Sequence, residues 1–174
     1  MVEVREGEGA RAREPERARL VRIFRFASLL FVALALAPAA AHLLELPNKI
    51  DLPAADYLTV QQIYRGWELL GIVVLGALLS TLVLVVLVRR ERKIFAYTLT
   101  AWLLLAASNV LFWVFTFPAN QATENWTVLT ADWMALRRQW EYSHAAAAVL
   151  VLCALIALIA SVLVDRGDAA GRGA

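Results

Sequence analysis

The stretch that decides the fold is LLGIVVLGALLSTLVLVVLV, residues 69–88, which contains no charged side chain. Its length matches the roughly 20 apolar residues that an α-helix needs to cross a bilayer. Residues 94–117 and 145–164 form two further apolar stretches of similar length, and residues 26–41 form a shorter one. Apolar residues make up 61% of the chain of 174 residues. This composition excludes an ordinary soluble domain and predicts four membrane-spanning helices.

We therefore predict an all-α fold, an integral membrane four-helix bundle with short interfacial helices on the outer side. The bundle would occupy residues 23–165, between cytoplasmic tails at residues 1–22 and 166–174. Turns at Pro47-Asn48-Lys49 and Pro118-Ala119-Asn120 are expected to follow the first and third spans. Short interfacial helices are expected over residues 56–67 and from Thr130, whose hydroxyl suits a helix N-cap.

The basic residues are distributed unevenly along the chain. All but four of the 17 Lys and Arg residues lie within residues 1–25, in the link at residues 89–93, or after residue 165; the exceptions are Lys49, Arg65, Arg137 and Arg138. The positive-inside rule then predicts cytoplasmic termini and outer long loops in the plasma membrane. The expected partner of the basic tail is the lipid bilayer and not nucleic acid, because Glu14 and Glu16 interrupt the Arg run.

The first apolar stretch has an alternative interpretation. A basic flank, the apolar run and then Ala37-Pro38-Ala39-Ala40-Ala41 resemble a secretory signal with a small-residue cleavage site. Cleavage there would leave three spans. The helical pattern continues beyond these alanines, and this favours an uncleaved first helix.

Both histidines of the chain lie in short motifs, His42-Leu-Leu-Glu45 and Glu141-Tyr-Ser-His144. The first and fourth spans should run in opposite directions. Each motif then places its His deeper than its Glu by about 4.5 Å, at 1.5 Å per residue. Ionisable groups at this depth are costly and normally face the bundle interior. The motifs therefore predict a polar site at one end of the bundle.

Three interpretations of this site remain open. The first is a structural ion network, with local pairs Arg65–Glu68 and Arg137–Glu141. The second is a metal site: a carboxylate-bridged pair of metals, a single Fe or Zn ion, or a haem. Its ligands would come from His42, Glu45, Glu141 and His144. The third is a metal-free pocket for an aromatic or quinone-like molecule, with a histidine as general base and tryptophans stacked on the ring.

Several segments resemble the anthrone-oxygenase-like family of four-helix integral membrane proteins. They are Pro118-Ala119-Asn120, the run LRRQW at residues 136–140, Trp140-x-x-x-His144 before an Ala/Leu-rich last helix, and HLLELPNK at residues 42–49. The resemblance implies an oxygenase or oxidase that acts on a polycyclic phenolic compound without a conventional cofactor. The positions that carry over are Asn120, Trp140 and His144, while Ala147 stands where the family usually has Arg.

The functional hypothesis from the sequence is oxidation of a lipophilic phenol or quinol at an outer-face pocket. The alternative is a non-catalytic membrane accessory or small-molecule-binding protein with a structural network of His, Glu and Arg. Residues proposed for catalysis are His144, His42, Glu141 and Glu45. Residues proposed for substrate binding are Asn120, Trp140, Trp133, Arg137, Trp67 and Glu68. The sequence indicates neither the electron acceptor nor the oligomeric state.

Overall fold

The computed structural model describes the backbone of residues 2–170 and the side chains of residues 15–164. This part of the chain is helical and contains no strand. The six α-helices are α1 (Val2–Lys49), α2 (Ala54–Gln61), α3 (Gly71–Val88), α4 (Arg92–Leu111), α5 (Phe117–Ala122) and α6 (Trp133–Ala170). Short 3₁₀ turns occupy Gln62–Tyr64 and Trp67–Leu70, and a π-helical turn at Phe112–Thr116 joins α4 to α5.

Four helical segments in the described residues are long and apolar enough to cross a membrane. They are Pro15–Lys49, Trp67–Val88, Arg92–Ala122 and Trp133–Val164. This confirms the prediction of an all-α chain with four membrane-type helices. The tails predicted at residues 1–22 and 166–174 are helical as far as they are described, because α1 begins at Val2 and α6 ends at Ala170. The side chains of the tail residues Arg5, Arg11, Arg13, Glu14, Arg166 and Arg172 lie outside the described part.

The middle of the bundle is packed by small and branched side chains. Ala77 on α3, Ala101 on α4 and Ala154 on α6 are at most 1% exposed, and they lie in one cluster with Val32 and Leu158. Lipid is as apolar as these side chains, so association depends on close packing, which small residues permit. The helices α1, α3, α4 and α6 therefore form one bundle.

The predicted turn at Pro47 is wrong, because α1 continues through it to Lys49. The amide of Ile50 still donates to the carbonyl of Leu46 (3.0 Å), and the chain leaves the helix only after this bond. A proline removes one amide donor and clashes with the carbonyl four residues earlier, but membrane helices tolerate it where the freed groups are satisfied. The extra turn keeps Lys49 on the helix that carries His42 and Glu45.

The predicted turn at Pro118 is wrong for a related reason. The third span continues through Pro118 to Ala122 because the π-helical turn Phe112–Thr116 precedes the proline. A π turn widens the helix and accommodates a residue that cannot continue the regular bonding pattern. The side-chain amide of Gln139 donates to the Phe115 carbonyl (2.8 Å), so α6 supports this segment.

Two further details of the connections differ from expectation. The short helix expected at residues 56–67 ends at Gln61 and passes into the 3₁₀ turn Gln62–Tyr64. Gly66 then adopts a positive φ of 90° and redirects the chain into the second span. Thr130 does not cap α6: the amides of Ala135 and Leu136 donate to the Asp132 carbonyl, and the buried Thr130 hydroxyl has no hydrogen-bond partner.

We predict that Gly76 is required for the contact between α1 and α3. A Cβ atom at this position would lie 2.8 Å from the ring of Phe31. Gly76→Leu should therefore lower the free energy of unfolding by about 1–3 kcal/mol, the usual cost of overpacking. The measurement is unfolding in mixed micelles at increasing SDS. Gly71→Leu is the control, because nothing lies within 4 Å of its Cβ position. Adding Phe31→Ala to Gly76→Leu should recover part of the loss, and equal stability of the two single variants would contradict the prediction.

Candidate functional site

The candidate site lies where the C-terminal end of α1 meets the N-terminal end of α6. His42, Glu45 and Lys49 share one face of α1, because they are three and four residues apart. Glu141 and His144 are likewise three residues apart on α6. The segment between α1 and α3 packs beside them and contributes Tyr57, Gln61, Tyr64 and Trp67.

Lys49 is at the centre of the site, with a side chain only 3% exposed. Its ammonium nitrogen lies 3.2 Å from Glu45 Oε1 and 3.2 Å from Glu141 Oε1. It also donates to the hydroxyl of Tyr64 at 2.9 Å. Two of these contacts, to Glu45 and Tyr64, are hydrogen bonds, and the contact with Glu141 is an ion pair. The ion pairs join α1 to α6 across the bundle.

The two histidines lie side by side. Their ring centroids are 4.2 Å apart with an interplanar angle of 31°. His42 Nδ1 lies 2.8 Å from Glu45 Oε1, and Tyr64 also donates its hydroxyl proton to that oxygen. His42 Nε2 and both ring nitrogens of His144 have no hydrogen-bond partner among the described side chains. The imidazole pair therefore has nitrogen atoms that are free to exchange protons with a bound molecule.

Aromatic rings surround the imidazole pair. Centroid distances from the His42 ring are 4.6 Å to Tyr64, 5.5 Å to Trp67 and 5.0 Å to Trp140. Trp140 also lies 4.2 Å from the His144 ring. Such surroundings favour a flat, apolar ligand over a hydrated one.

Glu141 is completely buried and has a second set of partners on α2. The Tyr57 hydroxyl donates to Glu141 Oε1 at 2.9 Å, and the Gln61 amide donates to the Tyr57 oxygen at 2.6 Å. Burial, followed by the negative charge of Glu141, raises the pKa of Tyr57 well above that of a free phenol. Burial and the hydrogen bond to Glu45 raise the pKa of Tyr64 in the same way. Both hydroxyls are therefore firmly protonated donors.

Arg137 supplies a second buried cation near Glu141 but does not pair with it. Its guanidinium donates to the Leu52 carbonyl at 2.7 Å and lies 4.7 Å from the centroid of Trp133 and 5.4 Å from that of Tyr57. The predicted pair Arg137–Glu141 is therefore wrong, and Lys49 takes the place of Arg137. The loop carbonyl and the two rings hold the guanidinium instead.

Asn120 anchors a cluster of buried rings above the site, which we call the aromatic cap: Tyr57, Trp126, Trp140 and the partly buried Trp133. Its side-chain oxygen accepts hydrogen bonds from the indoles of Trp140 (2.8 Å) and Trp126 (3.2 Å). Glu124, Asn125 and Trp126 all have positive φ angles, of 48°, 56° and 62°. Such angles are unfavourable for residues with a Cβ, so the cap must hold this turn in place.

Three buried polar atoms around Tyr57 have no hydrogen-bond partner. They are Glu141 Oε2, Gln61 Oε1 and Arg137 Nε. Buried polar atoms are nearly always paired, and an unpaired one costs about 1–3 kcal/mol. The unpaired carboxylate oxygen is the most notable, because Glu141 is 0% exposed.

Most of the residues selected from the sequence come together in this region. His42, Glu45, Glu141 and His144 form its polar centre, and Asn120, Trp140, Trp133, Arg137 and Trp67 form its surroundings. Glu68 lies apart from it, exposed on the turn Trp67–Leu70. The predicted pair Arg65–Glu68 is wrong, because Gly66 breaks the helix and Arg65 donates to Gln62 (3.0 Å).

The sequence analysis missed Lys49, Tyr57, Gln61 and Tyr64. Lys49 could have been found by its spacing, because His42, Glu45 and Lys49 share a face if the helix continues through Pro47. The spacing of Tyr57, Gln61 and Tyr64 is also helical. Nothing in the sequence indicates that their segment packs against α6.

The described residues contain no group of three or more His, Cys, Asp or Glu side chains that could hold a metal ion. Glu45 Oε1 is occupied by protons from His42, Lys49 and Tyr64, and Lys49 lies between the two carboxylates. An ammonium group at this position competes with a metal cation for the same oxygens. The arrangement therefore does not fit the predicted Fe or Zn site. The ring centroids of His42 and His144 are only 4.2 Å apart, which leaves no space between the rings for the iron of the predicted haem.

In comparisons with known proteins, no family model, curated protein or solved structure matches this chain.

We predict that Lys49→Met destabilises the protein strongly. The change leaves Glu45 and Glu141 without their shared cation, and removal of one partner of a buried ion pair costs about 3–5 kcal/mol. Unfolding in mixed micelles measures the effect. The exposed Arg138→Met is the control, and addition of Glu141→Gln to Lys49→Met should restore part of the loss. The prediction fails if Lys49→Met costs no more than Arg138→Met.

We also predict an alkaline loss of stability that depends on Tyr57. Its pKa is raised in the folded protein, so the folded state retains a proton that the unfolded chain releases above its ordinary pKa of 10.0. The stabilisation is present below this pH and is lost as the pH rises, by up to about 1.4 kcal/mol per pH unit. Tyr57→Phe should flatten the fall in unfolding free energy above pH 10, whereas the exposed Tyr142→Phe should not. Parallel curves for the two variants would refute this assignment.

Proposed function

We propose that this chain is a membrane enzyme in which His42, oriented by Glu45, removes a proton from a lipophilic phenol or quinol that is then oxidised. The observation that carries the proposal is the Glu45–His42 pair. The carboxylate holds Nδ1 at 2.8 Å and leaves Nε2 without a partner. A histidine held in this way has a fixed orientation and is a suitable general base near neutral pH.

The neighbouring His144 supports the same chemistry. Its ring centroid is 4.2 Å from that of His42, and its ring nitrogens have no hydrogen-bond partner among the described side chains. Proton transfer requires a base within hydrogen-bond reach of the substrate hydroxyl, and two adjacent imidazoles offer two such positions. The surrounding rings of Tyr64, Trp67 and Trp140 favour an aromatic substrate that enters from the lipid phase.

The proposed oxidant is dioxygen. Loss of a proton makes an anthrone or quinol electron-rich, and an anthrone then reacts with one dioxygen to give a quinone and one water molecule. The resemblance implies this oxidant, and the positions that it carries over are in contact: Asn120 accepts a hydrogen bond from the Trp140 indole (2.8 Å), and the ring centroids of Trp140 and His144 are 4.2 Å apart. These three residues form one continuous set of contacts beside the proposed base.

We further propose that the site lies at the outer side of the plasma membrane, with both termini in the cytoplasm. The support is the distribution of basic residues, since Arg89, Arg90, Arg92 and Lys93 lie at the end of the bundle opposite the site. At the same end, Arg17 donates to the Leu87 carbonyl at 2.7 Å and to Glu91 at 3.0 Å.

The second candidate function is a non-catalytic one, as a membrane accessory or small-molecule-binding protein. It is favoured by one observation, the contacts of the Lys49 ammonium with Glu45, Glu141 and Tyr64. A closed network of this kind can serve structure alone, and the histidines would then be packing residues.

The experiment that separates the two candidates uses anthrone and a lipophilic hydroquinone as probes of the full chain in mild detergent. An oxygen electrode measures dioxygen consumption, and absorbance measures quinone formation. We expect His42→Ala, His144→Ala and Glu45→Gln to lower kcat by about 10²-fold or more, the usual contribution of general base catalysis. The yield of folded protein and its melting temperature should stay close to those of the wild type for His144→Ala.

Glu124→Gln is the control, because this carboxylate is exposed at the same end of the bundle. The enzyme proposal is refuted if the wild-type protein consumes no dioxygen with either probe. It is also refuted if His42→Ala lowers the melting temperature and leaves turnover unchanged, since that result indicates a structural role.

A further inference from the structure

A continuous series of hydrogen bonds and ion contacts leads away from the imidazole pair. His42 Nδ1 lies 2.8 Å from Glu45 Oε1, which lies 3.2 Å from Lys49 Nζ. The same nitrogen lies 3.2 Å from Glu141 Oε1. Every contact is short enough for a proton to move along it, and the series crosses from α1 to α6. Lys49 is the only group in direct contact with both carboxylates among the described residues.

The two carboxylates differ in their hydrogen bonding. Glu45 Oε1 is contacted by His42, Lys49 and Tyr64, all of which stabilise its negative charge. Glu141 Oε1 is contacted by Lys49 and Tyr57, but Glu141 Oε2 is buried without any partner. A proton on Oε2 breaks no existing hydrogen bond. Glu141 is therefore the carboxylate that is arranged to take up a proton.

We propose that Glu141 stores the proton that His42 removes from the substrate, and that Glu45 and Lys49 relay it. This inference rests on the proposed function for the source of the proton. Tyr57 and Gln61 are positioning residues, because they hold Glu141 Oε1 toward Lys49 and leave Oε2 free.

Each proton that one group of the relay loses is gained by the next group. The O–H bond of a phenol or quinol, or a methylene C–H bond of anthrone, breaks and an N–H bond forms at His42 Nε2, while the Nδ1 proton passes to Glu45. Lys49 gives one proton to Glu141 Oε1 and regains one from Glu45, so Lys49 and Glu45 return to their initial states. A half-turn of the Glu141 carboxyl group then exchanges its two oxygens and leaves the proton at the position of Oε2. The net changes are one proton moved from the substrate to Glu141 and a shift of the His42 ring proton from Nδ1 to Nε2, while the substrate anion keeps the electron pair of the broken bond. The reverse sequence returns the proton when oxygen from dioxygen leaves as water.

The charged and hydrogen-bonding groups around Glu141 come from three helices. Lys49 faces it from α1, Tyr57 faces it from α2, and Arg137 lies one turn away on α6 against the Tyr57 ring. Glu45 lies on the far side of Lys49. Two cations thus balance the two carboxylates before the substrate binds, so a substrate anion can form when Glu141 becomes neutral.

The test is infrared difference spectroscopy of the full chain in detergent, mixed with anthrone without dioxygen. Binding of anthrone is followed independently by tryptophan fluorescence. We expect a new carbonyl stretch of a protonated carboxyl, absent in Glu141→Gln and retained in Glu124→Gln. If Glu141→Gln does not fold, Tyr57→Phe takes its place. Loss of the Tyr57 hydroxyl should shift the band, and the exposed Tyr142→Phe should not.

Turnover gives a second readout that a purely structural role would not change. In aerobic assays, Glu141→Gln should lower kcat by about 10²-fold and leave KM unchanged, because Glu141 does not contact the substrate. Equal kcat in the variant and the wild type would overturn the relay while the proposed function stands.

The infrared result is decisive in each case. The relay is overturned if bound anthrone produces no carboxyl band, or if the band persists in Glu141→Gln and is unshifted in Tyr57→Phe. If the wild-type protein does not bind anthrone, the proposed function fails. The relay is then tested by acidifying the protein without anthrone and recording the carboxyl bands that appear. The first carboxyl band to appear must then be lost in Glu141→Gln and retained in Glu45→Gln; the opposite pattern overturns the relay.

Discussion

The ion contacts of Lys49 with Glu45 and Glu141 are the constraint on which the rest of this site depends. An ammonium group only 3% exposed is tolerated in an apolar bundle only where anionic and polar oxygens surround it. Two helices that run in opposite directions supply those oxygens, so the contact fixes the register of α1 against α6. It also requires α1 to continue through Pro47, since a turn there would carry Lys49 away from the face of His42.

The aromatic cap is the second part of this arrangement. Exclusion of water strengthens every charged contact beneath it, and it also raises the cost of any unpaired group. The positive φ angles at residues 124–126 fit this view, because that turn brings the Trp126 indole to 3% exposure and within 3.2 Å of Asn120. Backbone strain is thus accepted where it closes the cap, and Asn120 links the cap to the rings beside the histidines.

The sequence predicts the four spans well, because length and apolar composition are local properties. It also predicts that His42 and His144 lie at the same end of the bundle and at similar depth, since opposite helix directions follow from the number of spans. The turns predicted from the sequence at Pro47 and Pro118 are wrong, because the helix continues through both prolines. At Pro118 it does so after a π-helical turn. The contacts of Tyr57 and Tyr64 depend on the bend at Gly66 and on packing against α6, which no local pattern encodes.

The bundle interior away from the candidate site bears on whether the network of Lys49, Glu45 and Glu141 is structural or functional. Its buried hydroxyls mostly bond their own helices: Ser28 to the Phe24 carbonyl, Ser80 to Gly76 and Thr98 to Ile94, all at 2.6–2.7 Å. Small and branched apolar residues complete the packing there. A buried ion network is rarely better for stability than apolar residues of the same volume, so stability alone does not explain why Lys49, Glu45 and Glu141 are buried together at this end of the bundle.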